Sequence, residues 1–252
     1  MNSTLIGEGT KPLICTPLVE TTREAIAQEL AAVLAKQPDI IEWRADFFEQ
    51  VADTGEVVAV AAQIKEAAGN IPVIFTIRSQ REGGQPIPLT DRQAIELNAA
   101  VSSNTGVEYV DCELRNRPED IEYLRQVAHA GNTKVIGSFH DFDHTPARTV
   151  LGQKFSEAEH YGLDVAKVAV MPKTPDDVLI LLGATLAAKA SLKIPLIAVS
   201  MGTYGAVTRM IGGLFGSSLT FAAGRSRSAP GQVPIEELRT VLGIIEKALD
   251  GD

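Results

Sequence analysis

Residues 134–170 read KVIGSFHDFDHTPARTVLGQKFSEAEHYGLDVAKVAV. A β-branched apolar run, KVIGSFHD at 134–141, gives way to a polar, helix-compatible segment and then to a second apolar run, VAKVAV at 165–170. Strand, helix, strand in that order is the repeating unit of a parallel sheet wrapped by helices. The same alternation extends in both directions. PLICT near 12–16, IIEWRAD at 40–46, PVIFTIR at 72–78 and VEYVDCEL at 107–114 precede it, while PLIAVSM at 195–201 and SLTFAAG at 218–224 follow. With Thr16, Asp46, Arg78, Glu113, His140, Lys167, Val199 and Phe221 as markers near the strand ends, successive markers lie about 22 to 35 residues apart. Each interval holds one βα unit. Eight units in a chain of 252 residues predict a single-domain (β/α)8 TIM barrel over residues 1–252, with residues 1–11 as a short N-terminal hairpin or plug below it.

Local punctuation agrees with this division. Thr21 to Glu24 reads as a capping box before the helical stripe Ile26, Leu30, Val33 and Leu34. Thr145-Pro146 and Thr174-Pro175 each place an N-cap before a first-turn proline, and Gly69 and Gly131 fall where helices should stop. A doubly wound open sheet would alternate in the same way. No Gly-x-Gly-x-x-Gly follows the first run and composition does not change along the chain, which favours the closed barrel.

The chain is 45% hydrophobic and 22% charged, the balance of a soluble globular protein. A net charge of −9 argues against a nucleic-acid surface, since neutralising phosphates needs clustered Lys and Arg. An anionic ligand must then be drawn by local arginines. Cys15 and Cys112 each sit in a strand-like run without metal-site spacing, so buried free thiols are expected and no metal or other cofactor is implied. The start, MNSTLIGEGTK, has no basic and apolar leader, and the run Val178 to Ala190 is too short to span a bilayer. A cytoplasmic protein is expected.

In barrels of this kind the C-terminal strand ends and the loops after them carry the chemistry. The polar residues there are Glu42, Arg44 and Asp46, then Arg78 with Arg81 and Glu82, then Asp111 and Glu113, His140 and Asp141, Lys167, Arg209, and the loop residues Arg225, Arg227, Ser228 and Gln232. Residues two apart on a strand share a face, so Glu42, Arg44 and Asp46 point one way and Trp43 and Ala45 the other. Asp111 and Glu113 likewise share a face. Charges packed into one lumen are costly unless they satisfy each other or a ligand.

Each of these residues has a plainer reading. Lys167 inside VAKVAV could be an edge lysine that snorkels to water. The functional reading is an amine kept dry, with burial and neighbouring arginines leaving a fraction of it free to attack a carbonyl. His140 could be a core histidine satisfied by Asp141 or by backbone, but its place at a strand end one strand before Lys167 favours proton transfer. His129, His144 and His160 fall in helix or loop and read as solvated. Glu42, Arg44, Asp46 and Arg78 could form only a structural ion-pair network. Gly212-Gly213 and Gly216 could cradle a phosphate, although close helix packing suits them better, and the loop 224–231 lies where many barrels bind anions.

EWRAD at 42–46, FTIRSQREGG at 75–84, FHDF at 139–142, VAKVAV at 165–170, MGTYGAVTR at 201–209 and SAPGQ at 228–232 together resemble the type I 3-dehydroquinate dehydratase family, and the similarity runs from about Pro12 to Leu249. The resemblance implies a lyase that dehydrates 3-dehydroquinate to 3-dehydroshikimate in the shikimate pathway of aromatic amino acid biosynthesis. It implies that Lys167 forms a Schiff base with the substrate ketone, that His140 acts as general base and then acid, and that Glu82 orients His140. By the same resemblance Arg209, Ser228 and Gln232 take the substrate carboxylate, Glu42, Arg44 and Arg78 hold the ring hydroxyls, and Met201 and Phe221 supply an apolar wall. Thr203 stands where many members carry lysine, Val199 where some carry methionine, and Thr208 where serine usually precedes the arginine. A homodimer is expected from the family and from apolar residues on the later helices. The alternatives are a class I Schiff-base aldolase on the same fold, which a phosphate-binding loop would favour, and a catalytically silent anion-binding barrel.

Overall fold

A computed structural model describes residues 5–9, 11–225 and 228–250. The expected alternation is present as β1 (Leu13–Leu18), α1 (Arg23–Leu34), β2 (Ile40–Arg44), α2 (Thr54–Ala68), β3 (Val73–Thr76), α3 (Asp91–Asn104), β4 (Tyr109–Glu113) and α4 (Pro118–Ala130), followed by β5 (Lys134–Asp141), α5 (Arg148–His160), β6 (Val165–Val170), α6 (Pro175–Ser191), β7 (Leu196–Ser200), α7 (Gly202–Ile211), β8 (Leu219–Phe221) and α8 (Ile235–Asp250). The strands pair in parallel in the order β7-β6-β5-β4-β3-β2-β1-β8, with Leu13 opposite Leu219. β8 has only three residues, so the seam to β7 is closed by a bridge between Leu196 and Ser217. The Ser217 hydroxyl accepts from the Ala198 N–H and donates to the Leu219 carbonyl, each at 3.0 Å, completing pairing that the short strand cannot supply.

Strand alternation sorts the side chains into two cores. Outward residues Leu18, Ile41, Trp43, Phe75, Val110, Cys112, Val135, Phe139, Ala166, Val168 and Val170 pack against the helices in one continuous cluster. Inward residues Cys15, Ile40, Ile74, Tyr109, Ile136, Val165 and Ile197 fill the lumen. Going up each strand by two, the inward positions turn polar: Ile40 is followed by Glu42 and Arg44, Tyr109 by Asp111 and Glu113, Ile136 by Ser138 and His140, and Val165 by Lys167. The barrel thus has an apolar floor and a charged upper end, and the site lies on that end.

At the opposite end, residues 5–9 form a turn and Ile6 is buried among the lumen residues. Of the hairpin and plug expected for residues 1–11, the described part is a plug; residues 1–4 and 10 lie outside the described residues. The Ile6 N–H donates to the Tyr109 hydroxyl at 2.9 Å. Tyr109→Phe leaves that buried donor without its partner, and we expect a loss of about 1–3 kcal/mol, read as a drop in Tm by thermal denaturation with turnover retained. An unchanged Tm would show that the plug does not depend on this bond.

Two helix starts differ from the sequence expectation. The N-cap of α1 is Thr22, whose side chain accepts from the Ala25 N–H, while the Thr21 hydroxyl is turned to Glu49. α5 begins at Arg148 with Ala147 as N-cap, because Asp141 Oδ1 accepts the N–H groups of Asp143 and His144 and carries the chain through a turn first. Thr174-Pro175 does open α6, in a capping box with Asp177, and Gly69 and Gly131 are the C-caps of α2 and α4. Gly213 serves close packing: a Cβ there would come within 2.8 Å of the Pro12 ring. Among the described residues no helix is long and apolar enough to cross a membrane.

Candidate active site

All the side chains singled out from the sequence for catalysis or binding, Glu42, Arg44, Arg78, Glu82, His140, Lys167, Met201, Arg209, Phe221, Ser228 and Gln232, line one cavity at the C-terminal end of the barrel, together with Phe142, Ala169, Val199 and Ala229. Arg227 lies outside the described residues.

Lys167 is 5% exposed, which rules out the snorkelling edge lysine. Its Nζ lies 3.2 Å from Glu42 Oε1 and 3.2 Å from Asp111 Oδ2, and 4.9 Å from the centre of the Phe221 ring. The expected arginine neighbour is Arg78, whose Nη2 shares Asp111 Oδ2 with Lys167. Two carboxylates and an aromatic face hold this amine. Glu42 is itself fixed by the Thr76 hydroxyl at 3.1 Å, and Asp111 by the Ser138 hydroxyl at 2.6 Å.

Arg78 is the hub of the network. Nη2 sits 2.8 Å from Asp111, and Nη1 donates at 3.0 Å both to Glu113 Oε1 and to the Ser138 hydroxyl. Burial disfavours the charge on Asp111, but Arg78, Lys167 and the Ser138 hydroxyl outweigh it and hold this carboxyl below its ordinary range. Arg44 donates through Nε and Nη2 to the two oxygens of Asp46, at 2.7 and 2.8 Å. Asp46 also accepts the N–H groups of Arg78 and Gln85, so it ties β2 to the loop after β3. For Asp46 the structural reading is the right one.

His140 Nδ1 lies 2.9 Å from Glu82 Oε2, and the same oxygen accepts the His140 backbone N–H at 3.0 Å. An ionised Glu82 can only accept, which puts the proton on Nδ1 and leaves the Nε2 lone pair free. Burial, with Arg78, Lys167, Arg44 and Arg115 adding to it, pushes His140 well below the ordinary histidine value and keeps the ring neutral. Burial raises Glu82 above the usual carboxylate range; Arg78 opposes this, Glu113 and Asp111 reinforce it, and Arg115 opposes it. Arg115 was not singled out from the sequence, yet its Nε lies 3.1 Å from Glu82 Oε1. Its only sequence signal is a charge directly after the apolar end of VEYVDCEL.

Arg209 is 2% exposed, and its recorded partners are backbone carbonyls: Nε donates to Gly231 at 3.0 Å, Nη2 to Pro230 at 3.0 Å and Nη1 to Phe221 at 3.3 Å. Among the described residues no carboxylate pairs with it. Burial lowers it to about 10. A buried guanidinium without a counter-ion is a site prepared for an anion. Gln232 and Ser228 stand in the same loop, with Gln232 Nε2 donating to the Ser228 hydroxyl at 3.0 Å and Gln232 Oε1 accepting the Ser228 N–H at 2.9 Å. The loop can approach Arg209 because Gly231 takes a positive φ of 80° and a Cβ there would meet the Gly202 carbonyl oxygen at 2.4 Å.

Among the described residues no group of three or more His, Cys, Asp or Glu side chains could hold a metal ion. The arrangement joins an amine, a neutral imidazole backed by a carboxylate, and an unpaired guanidinium.

The family model for type I 3-dehydroquinase matches residues 14–248. A 3-dehydroquinate dehydratase of Albidiferax ferrireducens is 50% identical over 244 residues, which span 97% of this chain and 92% of that protein. The solved 3-dehydroquinate dehydratase of Geobacillus kaustophilus HTA426 superposes with a TM-score of 0.93 at 47% identity, covering 95% of this chain and 93% of that one. A type I 3-dehydroquinate dehydratase structure from Clostridium difficile, with covalently modified comenic acid, superposes with a TM-score of 0.92 at 38% identity, over 96% and 95% of the two chains.

Proposed function

Since the chain belongs to the type I 3-dehydroquinase family, and so is a hydro-lyase acting on 3-dehydroquinate, we propose that it works through a Schiff base on Lys167 with His140 moving the protons. The observation that carries this reading is the convergence of Lys167, His140 and the unpaired Arg209 on one cavity. Arg209 receives the substrate carboxylate, joined by Ser228 and Gln232. Glu42, Arg44 and Arg78 face the ring hydroxyls, and Met201 and Phe221 form the apolar wall.

Lys167 gives up its ammonium proton before it attacks, and Glu42 and Asp111, each 3.2 Å away, are the acceptors within reach. The free amine adds to the C3 carbonyl of 3-dehydroquinate to give a carbinolamine, and the carboxyl that took the ammonium proton returns it to the departing C3 hydroxyl, so that water leaves and a protonated imine remains. His140 then takes a proton from C2. The C2–H electron pair moves into a C2–C3 double bond and the C=N π pair returns to nitrogen, so the step yields an enamine rather than a free carbanion. In the second half the enamine pushes out the C1 hydroxyl, which receives from His140 the proton that it took, and water departs. Hydrolysis of the remaining imine releases 3-dehydroshikimate and restores Lys167. Glu82 holds the ring and stabilises the imidazolium between the two transfers.

This reaction belongs to the shikimate pathway. Residues 1–252 act as one catalytic domain in the cytoplasm. Two copies associate through the later helices, where Leu179, Leu186, Tyr204 and Val207 are exposed. Membership of the family removes the aldolase alternative, which breaks a carbon–carbon bond.

Borohydride added together with 3-dehydroquinate should inactivate the enzyme, while either alone should not, because only the imine is reduced to a stable amine. Inactivation by borohydride without substrate would remove this support. Arg209→Met, which keeps the stem and removes the guanidinium, should raise KM by about 100-fold or more, the cost of a lost charge-assisted carboxylate contact of roughly 3 kcal/mol. A KM within twofold of wild type would place the carboxylate elsewhere.

A further inference from the structure

Beside the charged residues that line the cavity stands one that the reaction as described does not use. Arg115, in the loop after β4, is 43% exposed at its side chain, yet it reaches back to Glu82, which is 0% exposed. Its Nε is 3.1 Å from Glu82 Oε1, and its guanidinium lies over the Phe139 ring at 5.1 Å from the centroid. Lys154 of α5 lies over the same ring at 5.3 Å. The stacking fixes where the guanidinium sits, on the residue that immediately precedes His140 in β5.

Glu82 divides its two oxygens between two neighbours. Oε2 serves His140 through ring and backbone, and Oε1 faces Arg115. From the loop after β3, Arg78 approaches Glu82 at 3.6 Å, but it is also engaged by Asp111 and Glu113. From β4, Asp111 and Glu113 act on Glu82 as like charges. From β2 and β6, Arg44 and Lys167 act on His140. Arg78 is therefore shared among three carboxylates, whereas Glu82 is the only carboxylate paired with Arg115 among the described residues.

We propose that Arg115 is a positioning residue for the proton shuttle: from the protein surface it holds Glu82 as a carboxylate aligned on His140, and so keeps His140 ready to accept the substrate proton. The inference rests on the reading of His140 and Glu82 given above. When His140 becomes an imidazolium, Glu82 must already be ionised to face it. Burial and the two neighbouring carboxylates work against that ionisation, and Arg78 and Arg115 work for it. The active pair is one carboxylate and one neutral imidazole; one added proton inactivates it, whichever partner carries it. Removing the Arg115 charge raises the proton affinity of the pair, so the acid limb of kcat/KM moves to higher pH.

The test compares wild type, Arg115→Met and Arg115→Lys in kcat/KM for 3-dehydroquinate from pH 5 to 9. For Arg115→Met we expect an acid limb displaced upward by about half to one pH unit, the effect of one partly solvated charge at this distance. Below the limb this is a three- to tenfold loss; above it, activity stays within about twofold of wild type and KM is unchanged. Arg115→Lys should return most of the limb to its place. In wild type, raising salt from 0.05 to 0.5 M should move the limb in the same direction, because an exposed cation is screened; this reading needs no variant to fold. A loss equal at all pH values, or profiles that coincide, would overturn the inference. Borohydride inactivation with substrate separates the two levels: if it persists in all three proteins while the profiles coincide, only the role of Arg115 fails, and if wild type itself is not inactivated, the imine reading fails.

Discussion

Lys167→Ala is expected to lower turnover of 3-dehydroquinate by roughly 10⁵-fold, because it removes the covalent route altogether and leaves only binding and proton transfer. The same change strips the cation from between Glu42 and Asp111, each 3.2 Å from Nζ in the native protein. Breaking a buried pair in this way costs about 3–5 kcal/mol of stability. Lys167→Met fills the space of the stem and separates the two effects: both variants should lose turnover and borohydride inactivation, and the methionine variant should differ from alanine only in Tm. Measurable turnover in a folded Lys167→Met would contradict the covalent mechanism, whatever the stability of either protein.

The second large effect belongs to His140. His140→Ala should reduce kcat by about 10² to 10⁴, the range of a lost general acid–base group, while imine formation on Lys167 continues. Two readouts distinguish this from a packing defect. In wild type the ring is held neutral by burial and by the cations around it, well below the ordinary value of 6.5. The ring itself therefore stays neutral below pH 6.5, and the acid limb of kcat/KM reports the first proton taken up by the His140–Glu82 pair, which burial draws toward Glu82. Stability follows the same sign. Below pH 6.5 the unfolded chain takes up a proton on this histidine that the folded chain refuses, so the stability tied to the neutral ring is complete above pH 6.5 and is lost as pH falls toward the depressed folded value. His140→Ala should flatten that part of the stability profile. Wild-type turnover in this variant would mean that another group carries the proton.

Much of this was legible in the chain because the two periods of the fold are written there. Ile40, Glu42 and Arg44 alternate with Ile41, Trp43 and Ala45, and the inward and outward cores follow that parity. Lys167 and His140 stood out because a charge or an imidazole inside an apolar strand has to be explained. Contacts across strands were less legible. The carboxylates that hold Lys167 come from β2 and β4, and no spacing rule joins residue 167 to residues 42 and 111. Arg115 escaped notice for the same reason, since its link to Glu82 depends on how the loops after β3 and β4 lie together. Helix starts shifted where a side chain found another partner, as when Thr21 turned to Glu49 and left Thr22 to cap α1. The unpaired state of Arg209 could be seen only in three dimensions. Its partners are carbonyls of a glycine, a proline and a phenylalanine, which no charge pattern reveals.

The most direct measurement is to reduce the enzyme with borohydride in the presence of 3-dehydroquinate, digest it, and locate the added mass by peptide mass spectrometry. The account predicts one modified peptide, containing VAKVAV at 165–170 with the mass on Lys167, formed in proportion to the activity lost. Full loss of activity with the mass on another lysine, or active enzyme that yields no adduct at all, would contradict it.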